Sequence, residues 1–140
     1  MSTASIQNRQ LAALSFLALV GLFFWALAGG PGKPNVKEVT VQEAKALIEA
    51  GALVLDVRER EVAVASHLPG AYLIPLGLLA AQLSQLEAYK TKPIVVYCNE
   101  GNLRGPQATE MLNKAGFGQA VNLKSGIEGW RAAKLPTQSS

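Results

Sequence analysis

The chain has 140 residues, 49% of them hydrophobic and only 16% charged, with a formal net charge of +3, one cysteine and one histidine. One cysteine excludes an intramolecular disulfide framework, and one Cys with one His cannot build a zinc site of the C-x-x-C kind, so no metal is expected. Outside residues 1–30, twelve basic residues face ten acidic ones without runs, a balance that argues against nucleic acid as a partner.

The apolar excess is uneven along the chain. Residues 11–28 carry no charge and a single hydroxyl, Ser15, whereas every acidic residue lies at Glu38 or beyond. An α-helix of that length reaches roughly 27 Å, just enough for the hydrocarbon core of a bilayer, and Trp25 near its end suits the interface. The expectation is one transmembrane helix at 11–28 behind a tail at 1–10, with the lipid bilayer as its partner. The alternative is a cleaved signal sequence, because Ala26-Leu27-Ala28 before Gly29 has the form of a cleavage site. Lys33 and Lys37 after the segment, against Arg9 before it, place the domain on the cytoplasmic side of the cell (inner) membrane, and signal cleavage would instead leave it periplasmic. The Gly/Pro linker at 29–35 cannot continue a helix, so it sets a domain boundary. That leaves a domain at 36–136 and a tail at 137–140.

Within the domain, short apolar runs rich in β-branched residues alternate with helix-length amphipathic stretches. A strand is predicted at 36–39. Thr40-Val41-Gln42-Glu43 is a capping box opening a helix that stops at Gly51. Residues 53–57 read as an apolar strand interrupted by Asp56, and 71–74 as another, stopped by Pro75. A helix over 77–89 leads to Pro93 and a strand at 94–97. Pro106 suits the first position of a helix running to Lys114, with Gly116 as its stop. A last strand at 120–123 precedes a short helix at 127–134. Strands that are apolar on both faces and separated by helices predict a three-layer α/β domain with a mostly parallel central sheet.

In such a sheet ligands bind beyond the carboxyl ends of the strands. The segment after the strand at 94–97 lies there, and it holds the lone cysteine: Cys98-Asn99-Glu100-Gly101-Asn102-Leu103-Arg104-Gly105-Pro106. A thiol entering a helix N-terminus meets backbone N–H groups and a positive dipole end, which favour a thiolate. Arg104 adds a fixed charge and a planar set of donors, and Gly101 and Gly105 let successive N–H groups converge. Cys98 is therefore the candidate nucleophile, with Asn99 through Arg104 as its anion-binding loop.

The motifs Leu55-Asp56-Val57-Arg58-Glu59, His67-Leu68-Pro69-Gly70-Ala71, Val96-Tyr97-Cys98 with Gly101-Asn102, and Gly126-Ile127-Glu128-Gly129-Trp130 together resemble the rhodanese-like domain over about residues 36–136. With the apolar segment before it, the chain is similar to the membrane-anchored single-domain bacterial rhodaneses. The resemblance implies a thiol sulfurtransferase: Cys98 takes sulfane sulfur from thiosulfate or a persulfide, holds it as a persulfide, and passes it to a thiol, cyanide or a protein acceptor. It implies no cofactor. The usual sulfurtransferase loop has four residues between cysteine and arginine, whereas Asn99 to Leu103 are five. That Cys-x5-Arg spacing is shared with phosphatase-like relatives, so phosphatase or arsenate reductase chemistry is the alternative, and a low-activity sulfur carrier or partner-binding module is another. The extra residue is placed at Leu103. Phosphate chemistry needs a general acid, for which Glu100 and the more remote Glu59 are the local candidates.

Asp56, Arg58 and His67 are possible supporting residues. Asp56 is expected to anchor loop N–H groups, Arg58 and Arg60 either to reach the site mouth or to stand in solvent, and His67 to bond the backbone. Tyr72, Tyr97 and Trp130 are expected in the core. Ser125, Ala63 and Ser66 depart from the family's usual residues in ways that read as packing changes.

Overall fold

The computed structural model describes residues 32–140, and the segment expected to cross a membrane, 11–28, lies outside them. Among the described residues no helix is long and apolar enough to cross a membrane. Eleven elements follow one another in the order β1 (Glu38–Val39), α1 (Val41–Glu49), β2 (Leu53–Asp56), α2 (Arg60–Ala65), β3 (Tyr72–Leu73), α3 (Leu76–Gln82), a 3-10 helix (Leu83–Tyr89), β4 (Ile94–Tyr97), α4 (Arg104–Lys114), β5 (Ala120–Leu123) and α5 (Gly126–Ala132). The five strands form one parallel sheet in the order β1-β5-β4-β2-β3.

The sheet is buried on both faces because its strands alternate between two cores, as the two-residue period of a strand requires. Leu55, Ile94 and Val96 point to the side of Leu79, Leu86, Ala108 and Leu112 from α3, the 3-10 helix and α4. Val54, Val95, Tyr97, Val121 and Leu123 point to the other side, against Ala44 of α1 and Ile127 and Trp130 of α5. The three-layer α/β expectation holds. The edge strands β1 and β3 are two residues each, which leaves little unpaired backbone exposed.

Several local expectations are met by the chemistry that suggested them. Thr40 accepts from the Glu43 N–H at 3.2 Å while the Glu43 carboxylate accepts from the Thr40 N–H at 3.4 Å, closing the capping box. Gly116, with φ +98, follows α4. Others need correction. The helix predicted over 77–89 is two pieces, parted where Gln82 leaves helical geometry at φ −114, ψ 13. α2 was not expected from the sequence, since its six residues have no side-chain cap. α4 begins at Arg104 rather than Pro106, which sits at its third position, where the missing N–H still costs no helical bond. Tyr72 is 42% exposed on the edge strand, its hydroxyl donating to Gln85 Oε1 at 2.7 Å, so it is not a core residue.

Candidate active site

The site is built where β4 ends. Val96 and Cys98 lie on the same side of the sheet, toward α4, so the Cys98 side chain packs under that helix and the residue is only 4% exposed. Cys98 nevertheless lines an open cavity of about 410 Å³, together with Arg58, Asn99, Glu100, Asn102 and Arg104. Glu59, Val62 and Leu103 complete the rim. The Gly101 N–H donates to Cys98 Sγ at 3.3 Å. That geometry needs Gly101 at φ +78, where a Cβ would run into the Leu123 and Lys124 carbonyls.

The loop's carbonyls are held from behind. Ile127 and Glu128, in the first turn of α5, donate their N–H groups to Cys98 O at 3.0 Å and Asn99 O at 3.1 Å. This contact gives the Gly-Ile-Glu-Gly-Trp motif its place in the site. Gly126, with φ +60, lies so close to the two carbonyls that a Cβ would collide with both. Ser125 before it sits at φ −102, a conformation any residue adopts, which is why serine serves there.

A buried polar cluster supports the loop from the β2 side. Asp56 accepts from the Arg58 N–H at 3.0 Å, from Arg58 Nε at 2.9 Å and Nη2 at 2.7 Å, and from the Tyr97 hydroxyl at 2.6 Å. Arg58 Nη1 donates onward to Asn99 Oδ1 at 3.3 Å, and Nη2 to Ser66 O at 2.7 Å. Arg58 is 2% exposed, so the alternative that it stands in solvent is corrected: the carboxylate two residues earlier draws it inward. Burial alone would lower the guanidinium's pKa, but the hydrogen bonds and charge of Asp56 more than reverse this and raise it. Burial pushes the Tyr97 hydroxyl up, and the Asp56 charge adds to the rise, so Tyr97 stays a donor. Asp56 thus holds the Arg58 N–H and neutralises the Arg58 guanidinium as well.

Arg104, the first residue of α4, is half exposed at the rim with Glu59 Oε1 3.6 Å away. A pair that open to water is worth little, so Arg104 remains available to an anionic ligand. Leu103, 62% exposed just before α4, lies on the cavity rim, and the turn from Cys98 to Gly101 is closed by the Gly101 N–H on Sγ. His67 is not brought to the cavity. Its Nδ1 lies 2.9 Å from Ala63 O, and its backbone pairs with Gln138, in a separate 180 Å³ pocket that Arg60 also lines. Trp130 is buried with Nε1 donating to Pro136 O at 2.9 Å. Among the described residues, no three His, Cys, Asp or Glu side chains cluster to hold a metal ion. One site residue had been missed: Asn122 of β5, fully buried, donates from Nδ2 to Gly101 O at 2.8 Å. Its signal was present as the one polar residue in the apolar strand Ala-Val-Asn-Leu.

The site is thus a cysteine held by a glycine turn between a buried strand and a helix, with an arginine on the rim. The family model of the rhodanese-like domain matches residues 40–133. The chain belongs to the rhodanese-like domain family. The uncharacterized protein YibN of Escherichia coli (strain K12) is 36% identical to it over 104 residues, covering 73% of this chain and 72% of that one. A sulfurtransferase of Allochromatium vinosum is 31% identical over 84 residues, 60% of this chain and 76% of the relative. The solution structure of a rhodanese-like domain from Anabaena superposes with a TM-score of 0.65 at 31% identity, covering 74% of this chain and 79% of that one. This rhodanese-like domain is thus similar in sequence to a protein named a sulfurtransferase and in fold to another rhodanese-like domain.

Proposed function

We propose that the protein is a thiol sulfurtransferase whose nucleophile is Cys98. The observation that carries this reading is Cys98 in the cavity lining, its Sγ accepting the Gly101 N–H at 3.3 Å, with Arg104 on the rim. With thiosulfate as donor, the Cys98 thiolate attacks the sulfane sulfur. A new S–S bond forms on Sγ, the old one breaks, and sulfite leaves with its electron pair. An acceptor thiolate or cyanide then attacks the outer sulfur, and the Cys98 thiolate is the leaving group. A persulfide donor follows the same course with a thiolate leaving. Backbone N–H groups stabilise charge on sulfur at both steps, and Arg104 attracts the anionic donor.

The tight turn also favours sulfur over the phosphate or arsenate alternative. The Gly101 N–H, three residues after Cys98, already closes on Sγ at 3.3 Å. Cys98→Ser is expected to abolish turnover of thiosulfate and of a low-mass persulfide, by more than about 10³-fold, because the covalent carrier is lost. Sulfur transfer that survives this change would overturn the reading, as would aryl phosphate turnover that depends on Cys98.

Residues 11–28 are proposed to tether this domain to the inner membrane with the domain on the cytoplasmic side. Their apolar length and the flanking Lys33 and Lys37 support this. The full-length chain is expected in the membrane fraction with residue 1 or 2 as its N-terminus. A chain starting at Gly29 in the periplasmic extract would show a signal sequence instead.

A further inference from the structure

The fully buried Asn122 lies between Glu38 of β1 and Val96 of β4 in the sheet register. Its Nδ2 donates to Gly101 O at 2.8 Å and to Glu38 Oε2 at 2.9 Å, and two acceptors on that side fix which way the amide faces. Glu38 is itself held, with Lys33 Nζ 3.3 Å from its other oxygen. Asn122 Oδ1 then faces away without a hydrogen-bond partner. It packs against Gly105, where any Cβ would strike it and would stand 3.3 Å from Cys98 Sγ. Leaving a buried carbonyl unpaired costs stability and offsets part of what the two donated hydrogen bonds contribute. What the amide holds is the carbonyl of Gly101, the residue whose own N–H meets Cys98 Sγ.

We propose that Asn122 is a positioning residue for the chemistry at Cys98, an inference that rests on Cys98 being the sulfur carrier. In a planar trans peptide the N–H points opposite to the carbonyl. α5 holds the carbonyls of Cys98 and Asn99, so the N–H groups of Asn99 and Glu100 turn away from α5. Asn122 does the same for the next held peptide. By keeping Gly101 O, it turns the Asn102 N–H away from β5 and fixes Gly101 in the conformation that aims its own N–H at Sγ. Glu38 orients Asn122 in turn, so a residue on the edge strand acts on the loop through two hydrogen bonds.

The test separates positioning from packing. Asn122→Leu keeps the shape and removes both the donor and the unpaired carbonyl. It is expected to lower the melting temperature, because Gly101 O and Glu38 lose a partner, and beyond that to lose about 10- to 100-fold in kcat per folded molecule with KM changed less than about 3-fold, and to lose sulfur from the Cys98 persulfide faster. Wild-type kcat in a folded Asn122→Leu protein would overturn the proposal. So would a lowered melting temperature with unchanged kcat per folded molecule, which is the mark of a structural role alone. Should Asn122→Leu fail to fold, the Glu38 pair decides. Glu38→Ala is expected to lower kcat about 3- to 10-fold, and Glu38→Gln, which keeps an acceptor, to restore it; equal kcat in all three proteins would overturn the proposal. Iodoacetamide alkylation of Cys98 at fixed neutral pH needs no sulfur substrate. A wild-type protein that takes up no sulfur sinks the proposed function, whereas an alkylation rate unchanged by Asn122→Leu sinks the positioning role separately.

Discussion

Asp56, Arg58 and Tyr97 show how one carboxylate organises a buried cluster. Asp56 offers two oxygens to four donors, and the Tyr97 hydroxyl also accepts from the Leu68 N–H at 3.1 Å. The Arg58 guanidinium stacks 5.3 Å from the Tyr97 ring centroid as well. The raised Tyr97 pKa makes this cluster visible in stability. In the unfolded chain Tyr97 ionises near its ordinary value of 10, while in the fold it holds its proton. Its stabilising contribution is therefore present below pH 10 and is lost as pH rises toward the folded value, by about 1.4 kcal/mol per pH unit. Tyr97→Phe is expected to remove that slope from urea denaturation measured between pH 9 and 11. At neutral pH it should cost about 1–3 kcal/mol, because Leu68 N–H and Asp56 lose a buried partner. Equal slopes in the two proteins would contradict this account. Arg58 illustrates what the sequence leaves open at this scale. The spacing Asp56-Val57-Arg58 at a strand end is compatible with a solvated side chain or a buried ion pair, and the partners that satisfy the buried pair, the Tyr97 hydroxyl, Ser66 O and Asn99 Oδ1, come from other segments of the chain.

Between elements, the contact that shapes the loop is the landing of α5 on the carbonyls of Cys98 and Asn99. Gly126→Ala tests it against a control. Gly126 and Gly51 both hold positive φ, but a Cβ at Gly51 meets nothing within 4 Å, whereas one at Gly126 strikes the loop. Either substitution is expected to cost about 1–3 kcal/mol in strain, and only Gly126→Ala should also lower sulfur-transfer kcat, by at least about 10-fold. Thermal melts and initial rates on the two variants check this, and equal rates would show that the α5 contact is inessential to the loop. Most elements were legible because their signals are local: the capping box at Thr40, prolines and glycines as punctuation, and β-branched runs at β2, β4 and β5. What escaped lacks such signals. α2 has no side-chain cap, the break at Gln82 has no Gly or Pro to mark it, and Tyr72 follows an edge strand too short to reveal which side faces water. The candidate loop was readable as one segment, Cys98 to Arg104. Asn122 was not linked to it, because that link runs across the sheet between positions 21 residues apart.

For the whole molecule, a parallel sheet covered on both faces brings the carboxyl ends of β2, β4 and β5 together, so Arg58, Cys98 and the start of α5 meet although they are far apart in the chain. The sheet supplies the rigid frame, and the loop after β4 supplies the chemistry. A single cysteine means that no second thiol in the chain can resolve a persulfide on Cys98, so bound sulfur must leave to another molecule. That requirement is accessible to intact-protein mass spectrometry. The full-length protein is incubated with thiosulfate or a low-mass persulfide, then with cyanide or a thiol. The account predicts a mass gain of one sulfur atom, located at Cys98 by peptide mapping, lost on addition of the acceptor and absent from Cys98→Ser. A wild-type protein that gains no sulfur, or one that gains it equally in Cys98→Ser, would contradict it.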